Sequence, residues 1–153
     1  MAVRMFGLTI SIMRVVKMVV VREKVRFVET DAMGVVHHSN YFRWFEMGRV
    51  ELLRHGGITL NELMAAGILF PITDVECKYR ASAKFDDWVL IEINPVELTA
   101  VKMIFAYKII READGLLLAT GKTQNVFTDL NGKIIRLPDR YLNKLQAIGD
   151  GRE

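Results

Sequence analysis

Between Ser39 and Gly57 the large apolar residues recur at helical spacing, and most of them are aromatic. At about 100° per residue, Tyr41, Trp44, Phe45, Gly48 and Leu52 share one stripe, with Phe42 and Leu53 on its shoulder. Ser39 or Asn40 can cap such a helix with a side-chain oxygen, and Gly56–Gly57 can stop it. A row of rings interrupted by Gly48 lets something broad and flat approach the helix closely. A β-sheet meets that requirement, so the rest of the chain has to supply strands.

It does. Val19, Val21, Val25 and Phe27 alternate with Arg22, Lys24 and Arg26, the pattern of a half-buried strand over Val19–Val28. Thr59 with Glu62 forms a capping box for a short helix over Leu60–Ala66. Pro71 edges the next strand, in which Val75, Cys77 and Tyr79 alternate with Asp74, Glu76 and Lys78. A polar connection through Ser82–Lys84 and Asp86–Asp87 leads to Trp88–Ile93. Val101–Arg111 and Leu116–Thr128 read as a long hairpin around Asp114–Gly115, residues that tolerate positive φ. Asn131–Gly132 is a further turn, and Pro138–Ile148 suits a terminal helix. One long helix followed by four strands in a meander is an α+β pattern in a single domain over residues 18–153.

Composition narrows the class. The 153 residues are 51% apolar, enough for one real core. A net charge of +3 with no dense basic block gives nucleic acid nothing to hold. Cys77, the one cysteine, rules out an internal disulfide, fits a reducing compartment and reads as a small buried hydrophobe. In residues 1–17 the apolar run Met5–Met13 is too short to span a bilayer, and Arg14 and Lys17 follow where a signal peptide would be cleaved. Those residues read as an extension without a polar site, and stable membrane insertion is not expected.

Several chemistries lack their residues. No Gly-x-Ser-x-Gly occurs, and the serines are Ser11, Ser39 and Ser82. His37, His38 and His55 have no metal-ligand spacing. No glycine-rich loop suggests a nucleotide cradle. What remains is Asp31, His38 and a helix start close together in sequence. By spacing alone, Asp31 either satisfies turn N–H groups or acts as a base, and His38 is either structural or catalytic. Glu46 and Arg49 can pair across one helical turn.

The stretch Phe27–Arg54 resembles hotdog-fold acyl-CoA thioesterases of the 4-hydroxybenzoyl-CoA thioesterase type, in particular the small bacterial enzymes encoded beside the Tol-Pal cluster. Thr30, Asp31, Gly34, Val35, Val36, His38, Tyr41, Glu46, Arg49, Glu51, Leu53 and Arg54 match that signature. Tyr79–Arg80–Ala81 and Asp86–Asp87 extend it more weakly, to about Leu145. Glu29 stands where the pattern has its first Asp, and Phe27 where close relatives often carry Tyr.

The resemblance implies an antiparallel sheet wrapped around the long helix, with subunits joined edge to edge as a homodimer or homotetramer. It implies a cytoplasmic enzyme that hydrolyses an acyl-CoA, or acyl-carrier, thioester without cofactor or metal. Asp31 falls on the catalytic carboxylate, as general base or nucleophile. The backbone N–H at His38 falls on the oxyanion site, and its imidazole can hydrogen-bond water or Asp31. Phe27, Gly34, Tyr41 and Glu46 fall near the substrate, Glu46 being the rival base, and Arg80 and Lys84 are candidates for the CoA phosphates. Two readings from other classes stay open: a non-catalytic acyl-CoA or acyl-carrier-protein binding module, and a hotdog dehydratase.

Overall fold

The aromatic stripe meets a five-stranded antiparallel sheet. A computed structural model describes residues 18–151, so the extension expected over residues 1–17 lies outside the described residues. In chain order the elements are β1 (Val19–Lys24), a 3-10 turn (Phe27–Glu29), α1 (Asn40–His55), α2 (Leu60–Ala65), β2 (Ile72–Tyr79), β3 (Trp88–Leu98), β4 (Lys102–Arg111), β5 (Leu117–Val126) and α3 (Asp139–Asp150). The expected α+β hotdog architecture is present, with α1 packed on β1, β3 and β4.

The inner face of the sheet explains the fit. Val89, Ile91 and Ile93 of β3 and Met103, Phe105, Tyr107 and Ile109 of β4 are buried in alternation. Trp44 and Phe45 of α1 are fully buried (0% exposed), and Phe45 stacks on Tyr107 with ring centroids 4.4 Å apart. Room for the rings is made by two glycines. A Cβ at Gly121 would stand 2.2 Å from the Phe45 ring, and one at Gly48 would stand 3.1 Å from Ile91 Cγ2. Burying a Phe side chain contributes about 1.5–3 kcal/mol, so these contacts anchor α1 to the sheet.

Three local expectations are corrected. The first strand stops at Lys24 rather than Val28. Glu29, 3% exposed, accepts from the Arg26 backbone N–H (2.7 Å), and this closes the 3-10 turn. That turn rotates Phe27 out of the inward row to 74% exposure. Neither Ser39 nor Asn40 caps α1 through its side chain. The Ser39 hydroxyl is instead held by His37 Nδ1 (2.8 Å), and the Asn40 amide is turned to donate through Nδ2 to the Glu29 carbonyl (2.9 Å). The hairpin expected around Asp114–Gly115 does form, with Gly115 at φ +69°. The Thr59–Glu62 capping box also forms as expected.

The largest correction is topological. The strand order is β1-β3-β4-β5-β2, so only β3, β4 and β5 form a meander. β2 pairs with β5, and β3 pairs with β1 as well as β4. Residues 80–87 must therefore carry the chain past the ends of β5 and β4. Arg80 and Ala81 donate to Leu118 O on the way (2.8 and 3.1 Å), and Val25 N donates to Asp87 O on arrival (2.9 Å). β2 is left as an edge strand, with Ile72, Val75 and Tyr79 all exposed and Cys77 half-buried rather than fully enclosed.

Candidate active site

The site forms where the turn after the 3-10 element enters α1. Asp31 N donates to Val35 O (2.9 Å) and Gly34 N to Asp31 O (3.0 Å), with Gly34 at φ +75° closing the loop. One carboxylate oxygen of Asp31, Oδ1, accepts from Met33 N (2.8 Å). Its other oxygen has no hydrogen-bond partner among the described residues. The turn thus spends half of the carboxylate and leaves half available.

The next residues are pinned from both sides. Val36 N donates to Ala83 O (2.9 Å), and His37 N to Glu29 O (2.8 Å). Tyr79 Oη donates to His38 O (2.8 Å). Desolvation, with Cys77 beside it, pushes the Tyr79 phenol well above its ordinary range and keeps the donor protonated. The His38 N–H has no partner among the described residues. It lies just before α1, where the positive end of the helix dipole adds to its pull on a developing negative charge. The two histidine rings lie 4.0 Å apart, and His37 is the one tied to Ser39. No hydrogen bond joins His38 to Asp31.

A cavity of about 290 Å³ opens here. Of the residues singled out in the sequence, it brings together Asp31, His38, Tyr41 and Arg80. Met33, Val35, Val36, Tyr79, Ala81 and Ser82 complete the lining. Tyr79 carried two signals in sequence, its place on the same strand face as Val75 and Cys77 and its part in the Tyr79–Arg80–Ala81 match. Its reach across to the start of α1 depends on β2 lying beside β5.

The other candidates stand elsewhere. Phe27 packs edge-on against Phe85 (centroids 5.7 Å apart), outside the cavity lining. Lys84 lies farther along the crossover, its backbone N donating to Asp87 Oδ2 (2.9 Å). Gly34 shapes the turn without lining the cavity. Glu46 faces a second cavity of about 240 Å³ under the middle of α1, with Arg49 3.5 Å away. Among the described residues no three His, Cys, Asp or Glu side chains gather as a metal site.

Asp31 and His38 thus line one cavity, and the family of the chain follows from its likeness to known proteins. Residues 25–145 match the family model described as the thioesterase-like superfamily. The chain belongs to that superfamily. As a member it is a thioester hydrolase with the hotdog fold. It is 31% identical over 94 residues to the acyl-CoA thioester hydrolase YbgC of Escherichia coli, covering 61% of this chain and 70% of that one. Among solved structures, a hypothetical protein of Thermus thermophilus superposes with a TM-score of 0.79 at 35% identity, covering 84% of this thioesterase and 98% of its own chain. The DHNA-CoA thioesterase of Staphylococcus aureus also gives a TM-score of 0.79, at 29% identity, over 86% of this chain and 87% of that one.

Proposed function

We propose that this thioesterase hydrolyses acyl-CoA to a free carboxylate and CoA, with Asp31 and the His38 N–H as its reacting groups. The observation that supports this is that Asp31 and His38 line the same cavity, where one Asp31 oxygen and the His38 N–H have no hydrogen-bond partner among the described residues. With the thioester oxygen on that N–H, Asp31 takes a proton from water as the water oxygen bonds to the carbonyl carbon. The oxyanion is held at the helix start, the C–S bond breaks, and the proton passes to the departing CoA sulfur. The alternative step has Asp31 attack the carbon directly, giving an anhydride that water then opens. Trapping the acyl–Asp31 anhydride in a single turnover separates them, and in ¹⁸O-water unlabelled product would identify an anhydride that water opens at the Asp31 carbonyl.

Arg80, at the cavity, and Lys84, farther along the same crossover, would meet the CoA phosphates, while Tyr79, exposed at the cavity, would pack against the acyl–pantetheine junction. The exposed edge of β2 carries backbone N–H and C=O groups and apolar side chains that a second copy would cover, giving a homodimer or a homotetramer built on it. No described helix is long and apolar enough to cross a membrane, and the unpaired Cys77 suits the reducing cytoplasm. A panel of acyl-CoA substrates, read by thiol release, tests the activity and names the acyl class. Binding without any thiol release would instead make the protein an acyl-CoA binding module.

A further inference from the structure

The wall of the cavity that includes Ser82 is held by a side chain from the far end of β4. Arg111 Nη2 donates to the Ser82 carbonyl (3.1 Å). Its Nη1 donates to Asp114 in the hairpin tip (2.9 Å), and its Nε stands 3.5 Å from Asp87 Oδ2 at the end of the crossover. The side chain is only 22% exposed. One planar guanidinium therefore ties together the hairpin, the middle of the crossover and its end, a task for a rigid fork of donors that an ammonium group cannot copy. The residue after Ser82 faces the other way. Ala83 O accepts from Val36 N (2.9 Å), and Ala83 N donates to Tyr41 Oη (3.3 Å).

We infer that Arg111 is a positioning residue for hydrolysis: by gripping Ser82 it sets Ala83, and Ala83 sets the Val36–Tyr41 segment that presents the His38 N–H. The inference rests on the reading of Asp31 and His38 as the reacting groups. Arg111 itself is not among the residues that line the cavity. Its effect follows from geometry, because an oxyanion donor displaced by about 1 Å can cost on the order of a hundredfold in rate. A merely structural ion pair would lower the melting temperature and leave the site as it was.

The test uses the full chain with Arg111→Met, Arg111→Lys and Asp114→Asn. Asp114→Asn weakens the exposed arm of the clamp and leaves the Ser82 and Asp87 contacts. Single-turnover hydrolysis is measured well below each melting temperature, together with amide hydrogen exchange at Val36 and Ala83 without substrate. Both Arg111 variants should slow turnover by about tenfold or more while KM changes by no more than about threefold, the mark of a loss felt in the transition state. Exchange at Val36 should quicken in step, and Asp114→Asn should stay within about twofold on both measures. A folded Arg111→Met with normal turnover and a protected Val36 overturns the inference. Equal losses in Asp114→Asn overturn it too, because stability would then explain them. If Arg111→Met fails to fold, Arg111→Lys decides alone, and its wild-type rate would be fatal. An Asp31→Asn variant with full activity would sink the site reading instead, while exchange at Val36 would still report on the clamp.

Discussion

The entry to α1 and the body of α1 are adjacent in sequence and are held by different physics. From Tyr41 to Leu53 the inward side chains are buried against the sheet, Trp44 and Phe45 completely. From Asp31 to Ser39 the chain is mostly exposed and is fixed by hydrogen bonds to Glu29, Tyr79 and Ala83. The body can be rigid because packing is dense and satisfied. The entry leaves a carboxylate oxygen and an N–H without partners among the described residues, and its stability is borrowed from neighbours. Changes at the entry should cost turnover at nearly constant stability, and changes in the body should do the reverse.

Asp31→Asn gives the sharpest version of that contrast. The turn's bond to Met33 can survive on the amide oxygen, yet the basic oxygen is gone, so turnover should fall by about 10²–10⁴ with an almost unchanged melting temperature. Activity within a few-fold of wild type would move the base elsewhere. Phe45→Ala should act in the opposite sense, costing about 3–5 kcal/mol through the cavity left between Tyr107 and Gly121, as read by urea unfolding. A smaller loss would mean that the helix settles onto the sheet.

Gly121→Ala attacks the same contact by overpacking. Its new Cβ would press on the Phe45 ring and should cost about 1–3 kcal/mol in the same unfolding measurement. His38→Ala returns to the entry. The backbone N–H survives the deletion, so single-turnover rates should drop only about tenfold, equivalent to ~1.4 kcal/mol. A loss as deep as that of Asp31→Asn would show the imidazole, not the amide, to be the working group. Glu46→Gln should do least. Glu46 is exposed and meets Arg49 at 3.5 Å, so the change should stay within about 0.5 kcal/mol and a few-fold in turnover. A dead, well-folded Glu46→Gln would shift the chemistry onto the body of α1 and reverse the comparison.

Legibility followed the same division. The helix stripe, the capping box at Thr59 and the long hairpin around Asp114–Gly115 were readable because periodicity, caps and turn residues are local properties. Asp31 and His38 could be singled out from a motif, and the cavity does hold both. Phe27 was misplaced because the turn that exposes it depends on Glu29 being buried, and alternation carries no information about that. The contacts of Tyr79 with His38 and of Arg111 with Ser82 were not readable, since these partners lie far apart in the chain.

By itself, the amino-acid order determined that one aromatic helix must be covered by an antiparallel sheet, and which face of that helix points inward. Side-chain period and apolar burial decide those things residue by residue. Tertiary structure alone decided that β2 lies beside β5 instead of β3, since several strand orders bury the same faces equally well and differ only in long-range backbone pairing. From that choice come the crossover at residues 80–87, the grip of Arg111 on Ser82, and the reach of Tyr79 to His38. Hydrogen bonds between segments so distant leave no period in the sequence, and they appear only once the strands have been set in order.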